Sequence, residues 1–197
     1  PHYIPRVNDT SFRVTVDGTS IPDVEATWAG AQLVRGLVPG NLVGSIEIQA
    51  VSFDAYGNRG LSAIHAMVNT GPAAVHSGSS SPSSLGEPSL RALTAPFASA
   101  PLYLVGGNVA PGAAGVIALS TSTLPGIDLG DGLVLNLGLP TLGPLFVGVT
   151  DVNGELLFAA TEAPGVLAGL TIHAQFVATD GAGSCRWASS GALELAF

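Results

Sequence analysis

The chain predicts an all-β protein made of two antiparallel β-sandwich domains, and three observations carry that expectation. Apolar residues make up 47% of the 197 residues and charged residues only 10%, while glycine (26) and proline (14) together exceed a fifth of the sequence. Such a mix favours short strands and tight turns over helices. Short alternating or apolar runs recur about every ten residues with turn residues between them, the spacing of a sandwich. No stretch repeats its apolar residues at the 3.6-residue period of an amphipathic helix.

Taken in order, residues 12–16 (FRVTV) alternate and Asp17-Gly18 then gives a hairpin-type turn signal. Further β-type runs follow at 31–38, 43–53 and 61–69. In 43–53, Ile46, Ile48 and Ala50 point one way and Glu47 and Gln49 the other, the pattern of a half-buried strand. Residues 71–89 (GPAAVHSGSSSPSSLGEPS) lose all periodicity and have linker composition, flexible with stiffer proline points. The expected organisation is therefore a first domain over 1–70, a linker over 71–89 and a second domain over 90–197. Strands are predicted at 102–109, 114–122, 132–139, 144–151, 154–161, 170–180 and 191–197. Prolines 101, 111, 125, 140, 144 and 164 punctuate them at edges and loops, where proline is tolerated. One short helical turn is expected in APGVLAGL (163–170).

Two acidic turns interrupt the runs: Asp54-Ala55-Tyr56-Gly57-Asn58, and Asp151 with Asn153, Gly154 and Glu155. Asp and Asn side chains bond their own backbone two residues on, and Gly or Asn accepts a positive φ. Both loops are thus expected to be structural. A calcium site needs six to eight oxygens, several from closely spaced carboxylates. Asp128 and Asp131 in DLGDG are the stronger calcium candidates, though the turn reading is preferred there too.

Two resemblances add to this reading. FRVTVDG, LVRGLVPG and IEIQAVSFDAYGNRGLSAIHAMVNT resemble the later strands of a fibronectin type III or bacterial immunoglobulin-like domain. The matching residues are Gly36, Leu37, Pro39, Gly40, Asp54, Gly57, Asn58 and Ser62, within about residues 10–70. The tyrosine that many such domains place after the PG loop appears as Ile46, and the early strands with their tryptophan are missing before Phe12. The C-terminal part is similar to a β-domain that ends large secreted proteins of planctomycetes and related bacteria. The match runs through Thr150, Asp151, Asn153, Gly154 and Glu155, then Leu167-Ala168-Gly169 and His173-Ala174-Gln175. It closes on Asp180 and Gly191-Ala192-Leu193-Glu194-Leu195, and is good over 145–197 and weaker over 100–144. That resemblance implies export and a repetitive, multidomain surface protein, and no chemistry.

Composition narrows the function classes. Six arginines that never cluster, no lysine and a net charge of −8 argue against nucleic-acid binding. No apolar run approaches the roughly 18–20 residues of a spanning helix. Phe197 as the last residue suits an outer-membrane barrel, but the proline-broken segments lack the lipid-facing alternation such a barrel requires. The chain begins at Pro1 without Met or leader, as a processed mature protein or a segment of a longer one does. The single cysteine, Cys185, excludes an internal disulfide framework and is expected to be buried and reduced.

Nucleophile-elbow, zinc-protease and phosphate-loop signatures are absent. His2, His65, His76 and His173 stand apart from one another, with no pair at ligand spacing. A carboxylate pair for glycoside hydrolysis converges from distant positions and leaves no local motif, but fourteen scattered acids are what a soluble surface carries. The expected role is non-enzymatic: an extracellular structural or adhesive protein of a bacterial surface, without cofactor or metal, its partners being copies of itself or other surface proteins. Its version as a fibre subunit has residues 1–10 (PHYIPRVNDT) donated to a neighbour whose first domain lacks early strands. The alternative is a polysaccharide-binding accessory module of a secreted enzyme, with Trp28, Tyr56 and Trp187 stacking on sugar rings, against the plainer reading of these rings as core.

Overall fold

A computed structural model of the chain describes residues 10–21, 24–25, 27–28, 34–35, 38, 41–53, 56–69, 75–139, 141, 143–160, 165–180 and 186–197. All regular structure in them is strand apart from one 3-10 turn, Gly165–Leu167, inside the segment expected to turn helically. The chain divides into two units, Pro1–Gly71 and Pro72–Phe197.

Unit 1 holds β1 (Thr10–Val16), β2 (Thr19–Ser20), β3 (Val24–Glu25), β4 (Thr27–Trp28), β5 (Val34–Arg35), β6 (Gly44–Phe53), β7 (Arg59–Leu61) and β8 (His65–Asn69). Its sheet runs β2-β1-β6-β7, with β3 beside β1 and β8 beside β6; β4 and β5 form a separate ribbon. β1 and β6 pair antiparallel along all of β1, from Thr10 opposite Ser52 to Val16 opposite Ile46. Asp17 (φ 49°) and Gly18 (φ 83°) both take positive φ, the two-residue turn whose twist matches that of the flanking strands. Asp17 Oδ1 also accepts the Ser45 N–H at 2.8 Å, tying the turn to β6. Val14, Val16 and Ile46 are buried on one face, with Ile21 and Leu42 also buried. The alternation read in 43–53 holds for buried Ile46 and exposed Glu47. Farther along, Ile48 and Ala50 are only half-buried, and Val51, on the opposite face, is buried.

Unit 2 holds β9 (Val75–Ser77), β10 (Ser89–Ala92), β11 (Leu102–Gly107), β12 (Ala114–Ser120), β13 (Thr123–Asp128), β14 (Val134–Leu137), β15 (Gly143–Val149), β16 (Leu156–Ala160), β17 (Thr171–Thr179), β18 (Trp187–Ser189) and β19 (Ala192–Ala196). One sheet is β10-β11-β16. The other is β15-β12-β17-β19-β9 with β18 beside β17, and β13–β14 form a hairpin of their own. All pairings are antiparallel. The two sheets share one core, in a sandwich-like arrangement: Leu90, Leu102, Leu104 and Leu156 from the first meet Ile117, Ala174, Phe176, Ala178, Leu193 and Leu195 from the second. Phe176 lies against Gly106 and Gly115, one glycine from each sheet, where a Cβ would come within 2.5 Å and 2.9 Å of its ring.

Residues 71–89 were expected to be a flexible linker, yet those described, 75–89, are built into unit 2. Val75–Ser77 extends the large sheet beside β19. Ser81 exchanges backbone hydrogen bonds with Ser189 at 2.8 and 3.2 Å. Ser84 donates from N (2.7 Å) and Oγ (2.9 Å) to the Asp180 carboxylate. Hydrogen bonds take the place of apolar burial here, so the segment carries no hydrophobic period.

Tyr103 in β11 is buried, and desolvation pushes its phenol above the ordinary value. The folded state therefore holds this proton more tightly than the unfolded chain. Stability should be indifferent to this group at neutral pH and fall as pH rises from about 10 toward the raised value. Spectrophotometric titration of the folded chain should show one phenol ionising late, and Tyr103→Phe should remove that step.

Candidate functional site

Trp28 and Tyr56 belong to unit 1 and Trp187 to unit 2. Trp28 pairs with Val34 through its backbone in the β4–β5 ribbon. Tyr56 is 91% exposed in the turn that follows β6, and Trp187 is 38% exposed at the start of β18. Cys185, Asp54 and residues 1–9 lie outside the described residues.

DLGDG (128–132) caps the β13–β14 hairpin. Gly130, Asp131 and Gly132 all have positive φ, which is why the tip is glycine-rich. Asp128 Oδ1 accepts the Gly130 N–H at 2.8 Å, and the Asp131 carbonyl accepts the Trp187 N–H at 3.1 Å. The hairpin tip is thereby fixed beside Trp187. Among the described residues no three His, Cys, Asp or Glu side chains converge as metal ligands would.

The turn 150–155 is a hydrogen-bonded unit. Asp151 Oδ1 accepts the N–H groups of Asn153 and Glu155, both at 2.9 Å. The Asp151 N–H donates to the Glu155 carbonyl at 2.8 Å. Thr150 Oγ1 accepts from the Ala113 N–H (2.9 Å) and donates to the Ala110 carbonyl (2.7 Å), and Glu155 pairs with Arg91 at 2.9 Å. Asp151→Ala should then cost about 1–2 kcal/mol through two freed backbone donors, read by urea unfolding. Chelation with EDTA should leave the melting temperature unchanged; a fall on chelation would make this turn an ion site.

On the outer face of the large sheet, Ser120, His173 and Glu194 lie side by side on β12, β17 and β19. Their composition suits a nucleophile, base and orienting acid, but their bonding does not. Ser120 is fully buried, donates to the Gly138 carbonyl at 2.8 Å and accepts from the Ser122 N–H at 3.2 Å. His173 Nδ1 is buried with no hydrogen-bond partner. Below them, Gln175 and Asn136, both fully buried, bond the β14 strand to β17 and to Ser79. Sequence reasoning singled out Gln175 as a motif residue but gave it no role.

The interaction surface with the clearest character is the edge strand β15. Among the described residues it ends the large sheet, with β12 on one side only. Residues 133–150, which include it, contain no charged side chain in a chain of net charge −8. Val147 and Val149 are 67% and 65% exposed on its outer face, and Val152 beyond it is exposed as well. The register shifts between Ile117 and Ala118, opposite the Pro144–Phe146 stretch; an irregular, proline-bearing end blunts a strand edge. Phe146 to Val149 is the regular, apolar part left open.

No protein-family model and no curated protein sequence matches the chain.

Proposed function

We propose that the chain is a non-enzymatic structural or adhesive module of a bacterial surface protein, working outside the cell through protein–protein contact. The observation that carries this reading is the uncharged β15 edge with its exposed Val147 and Val149. An open edge offers backbone hydrogen bonds to an incoming strand, and exposed alternate side chains give that strand something apolar to cover. In a chain of net charge −8, an edge free of carboxylates is also where two copies approach with least repulsion. The kinship proposed with it is of immunoglobulin- or fibronectin-like domains, the C-terminal one of the planctomycete surface type.

Size-exclusion chromatography with light scattering tests the reading. The expected result is a mass that rises with protein concentration. Val147→Lys with Val149→Lys should weaken that association at least tenfold, a change of about 1.4 kcal/mol. Deleting residues 1–9 separates the two assembly routes: loss of association there, with none in the double lysine chain, would transfer the role to the donated N-terminal strand. An intact chain that stays monomeric at all concentrations overturns the fibre reading.

A further inference from the structure

We propose that unit 2 carries a second binding site, a groove for a neutral saccharide between β9 and β10, at the opposite end of the large sheet from β15. The groove has a volume of about 450 Å³, within the ~300–1,000 Å³ range of ligand clefts. Seven polar residues line it: His76, Ser77, Ser80, Glu87, Ser89, Asn108 and Ser190, the last with its hydroxyl already bonded to the Phe176 N–H and the Gly191 carbonyl.

Most of the polar side chains that line the groove are uncommitted. Other polar side chains of unit 2 are spent on the fold, as at Asn136, Gln175, Ser120, Ser83, Ser84, Asp180 and Thr150. The side chains of His76, Ser77, Ser80, Glu87 and Ser89 make no hydrogen bond or ion pair among the described residues, yet all five line this one groove. The wall that holds them is nonetheless fixed. Asn108, at a positive φ of 61°, donates from Nδ2 to the Glu87 carbonyl at 3.1 Å. Its own carbonyl accepts from Ser83 Oγ at 2.6 Å. A non-glycine residue held at positive φ by such bonds is the kind of preorganisation that binding sites use.

The chemistry of the lining selects the ligand class. Three unbonded hydroxyls, of Ser77, Ser80 and Ser89, both donate and accept, the carboxylate accepts, and the imidazole does either, a set that matches a hydroxyl-rich ligand. The single formal charge in the groove is the negative one of Glu87 and the chain is acidic overall, so anionic ligands are repelled. No aromatic or large exposed apolar side chain lines it, so a purely apolar ligand gains little. The assignment rests saccharide binding on residues other than Trp28, Tyr56 and Trp187, and it holds whether or not the chain self-associates.

The test is an NMR titration of the isotopically labelled full chain with cellotetraose, xylotetraose and tetra-N-acetylchitotetraose in turn, and with tetragalacturonate as the acidic counterpart. At least one neutral oligosaccharide should shift the backbone amides of 76–80, 87, 89–90 and 108. Glu87→Ala and His76→Ala should each weaken that binding at least tenfold with the melting temperature unchanged, and Trp187→Ala should leave it as it was. The proposal is overturned if no neutral oligosaccharide perturbs these amides at about 10 mM. It is equally overturned if tetragalacturonate binds as well as they do, or if the shifts centre on Trp187 and residues 128–132.

Discussion

Phe176→Ala should lower the stability of unit 2 by about 3–5 kcal/mol, the cost of removing a fully buried aromatic ring and leaving its cavity. The more discriminating result is expected when the change is combined with Gly106→Ala. In the native chain a Cβ on Gly106 would come within 2.5 Å of Phe176 Cγ and Cδ2. The ring has little room to retreat, since a Cβ on Gly115 would meet its Cε2 at 2.9 Å and Leu156 Cδ2 at 3.2 Å. Gly106→Ala alone should therefore cost about 1–3 kcal/mol as overpacking. With the ring gone, the same methyl enters empty space, and its cost should vanish or turn into a gain. Urea unfolding of the four chains gives the coupling, expected at about 1–3 kcal/mol. Equal costs for Gly106→Ala in both backgrounds would mean that the ring's position between the sheets is not set by these glycines.

That glycine seat marks the limit of what the sequence discloses. The strands visible beforehand are those whose side chains alternate or run apolar: β1, β5, β6, β8, β11, β12, β14, β15, β16, β17 and β19, together with the Asp17-Gly18 turn. Most are legible because one face is buried and the period of two records it, whereas β11, buried on both faces, shows as an unbroken apolar run, and β8 is exposed throughout. Gly106 and Gly115 leave no such trace, for their contribution is an absent Cβ opposite a ring 61 or more positions along the chain. The β9 and β10 strands were hidden for another reason. β9 lies inside, and β10 begins at the end of, a serine-rich segment held by hydrogen bonds from Ser81, Ser83 and Ser84 to Ser189, Asn108 and Asp180, and composition alone reads such a segment as a linker. The same cause hides the groove, because His76 and Ser77 fall within the span whose composition reads as a linker. β13 was masked by Pro125 and Gly126 inside the strand, at the position where its pairing with β14 shifts register. The acidic turn at Asp151 was legible because Asx chemistry is local: donor and acceptor lie two and four residues apart.

The second large effect is expected at Gln175, where a side chain stands in for a neighbouring strand. Its Oε1 accepts the Asn136 N–H at 3.0 Å, and its Nε2 donates to the Val134 carbonyl at 2.7 Å and the Ser190 carbonyl at 2.8 Å. One buried amide thus satisfies β14 as a paired strand would. Gln175→Leu keeps much of the volume but strands a backbone donor and an acceptor on β14; the Ser190 carbonyl retains Asn136 Nδ2 at 3.2 Å. At about 1–3 kcal/mol for each unsatisfied group, the loss should be about 2–5 kcal/mol. Gln175→Glu separates hydrogen bonding from packing. A carboxylate there accepts from Asn136 but faces two carbonyls it cannot donate to, and burial raises its pKa above the ordinary value near 4.3. A raised folded-state pKa means the protonated form is favoured in the fold, so stability is highest below the ordinary value and is lost as pH rises through the raised one. Gln175→Glu should accordingly be the less stable of the two variants at pH 7 and regain stability at acid pH relative to Gln175→Leu measured at the same pH. Urea unfolding of both at the two pH values reads the difference. A Gln175→Leu chain within about 0.5 kcal/mol of the native one, or a Gln175→Glu chain whose deficit does not change with pH, would show that β14 is held by packing and not by this amide.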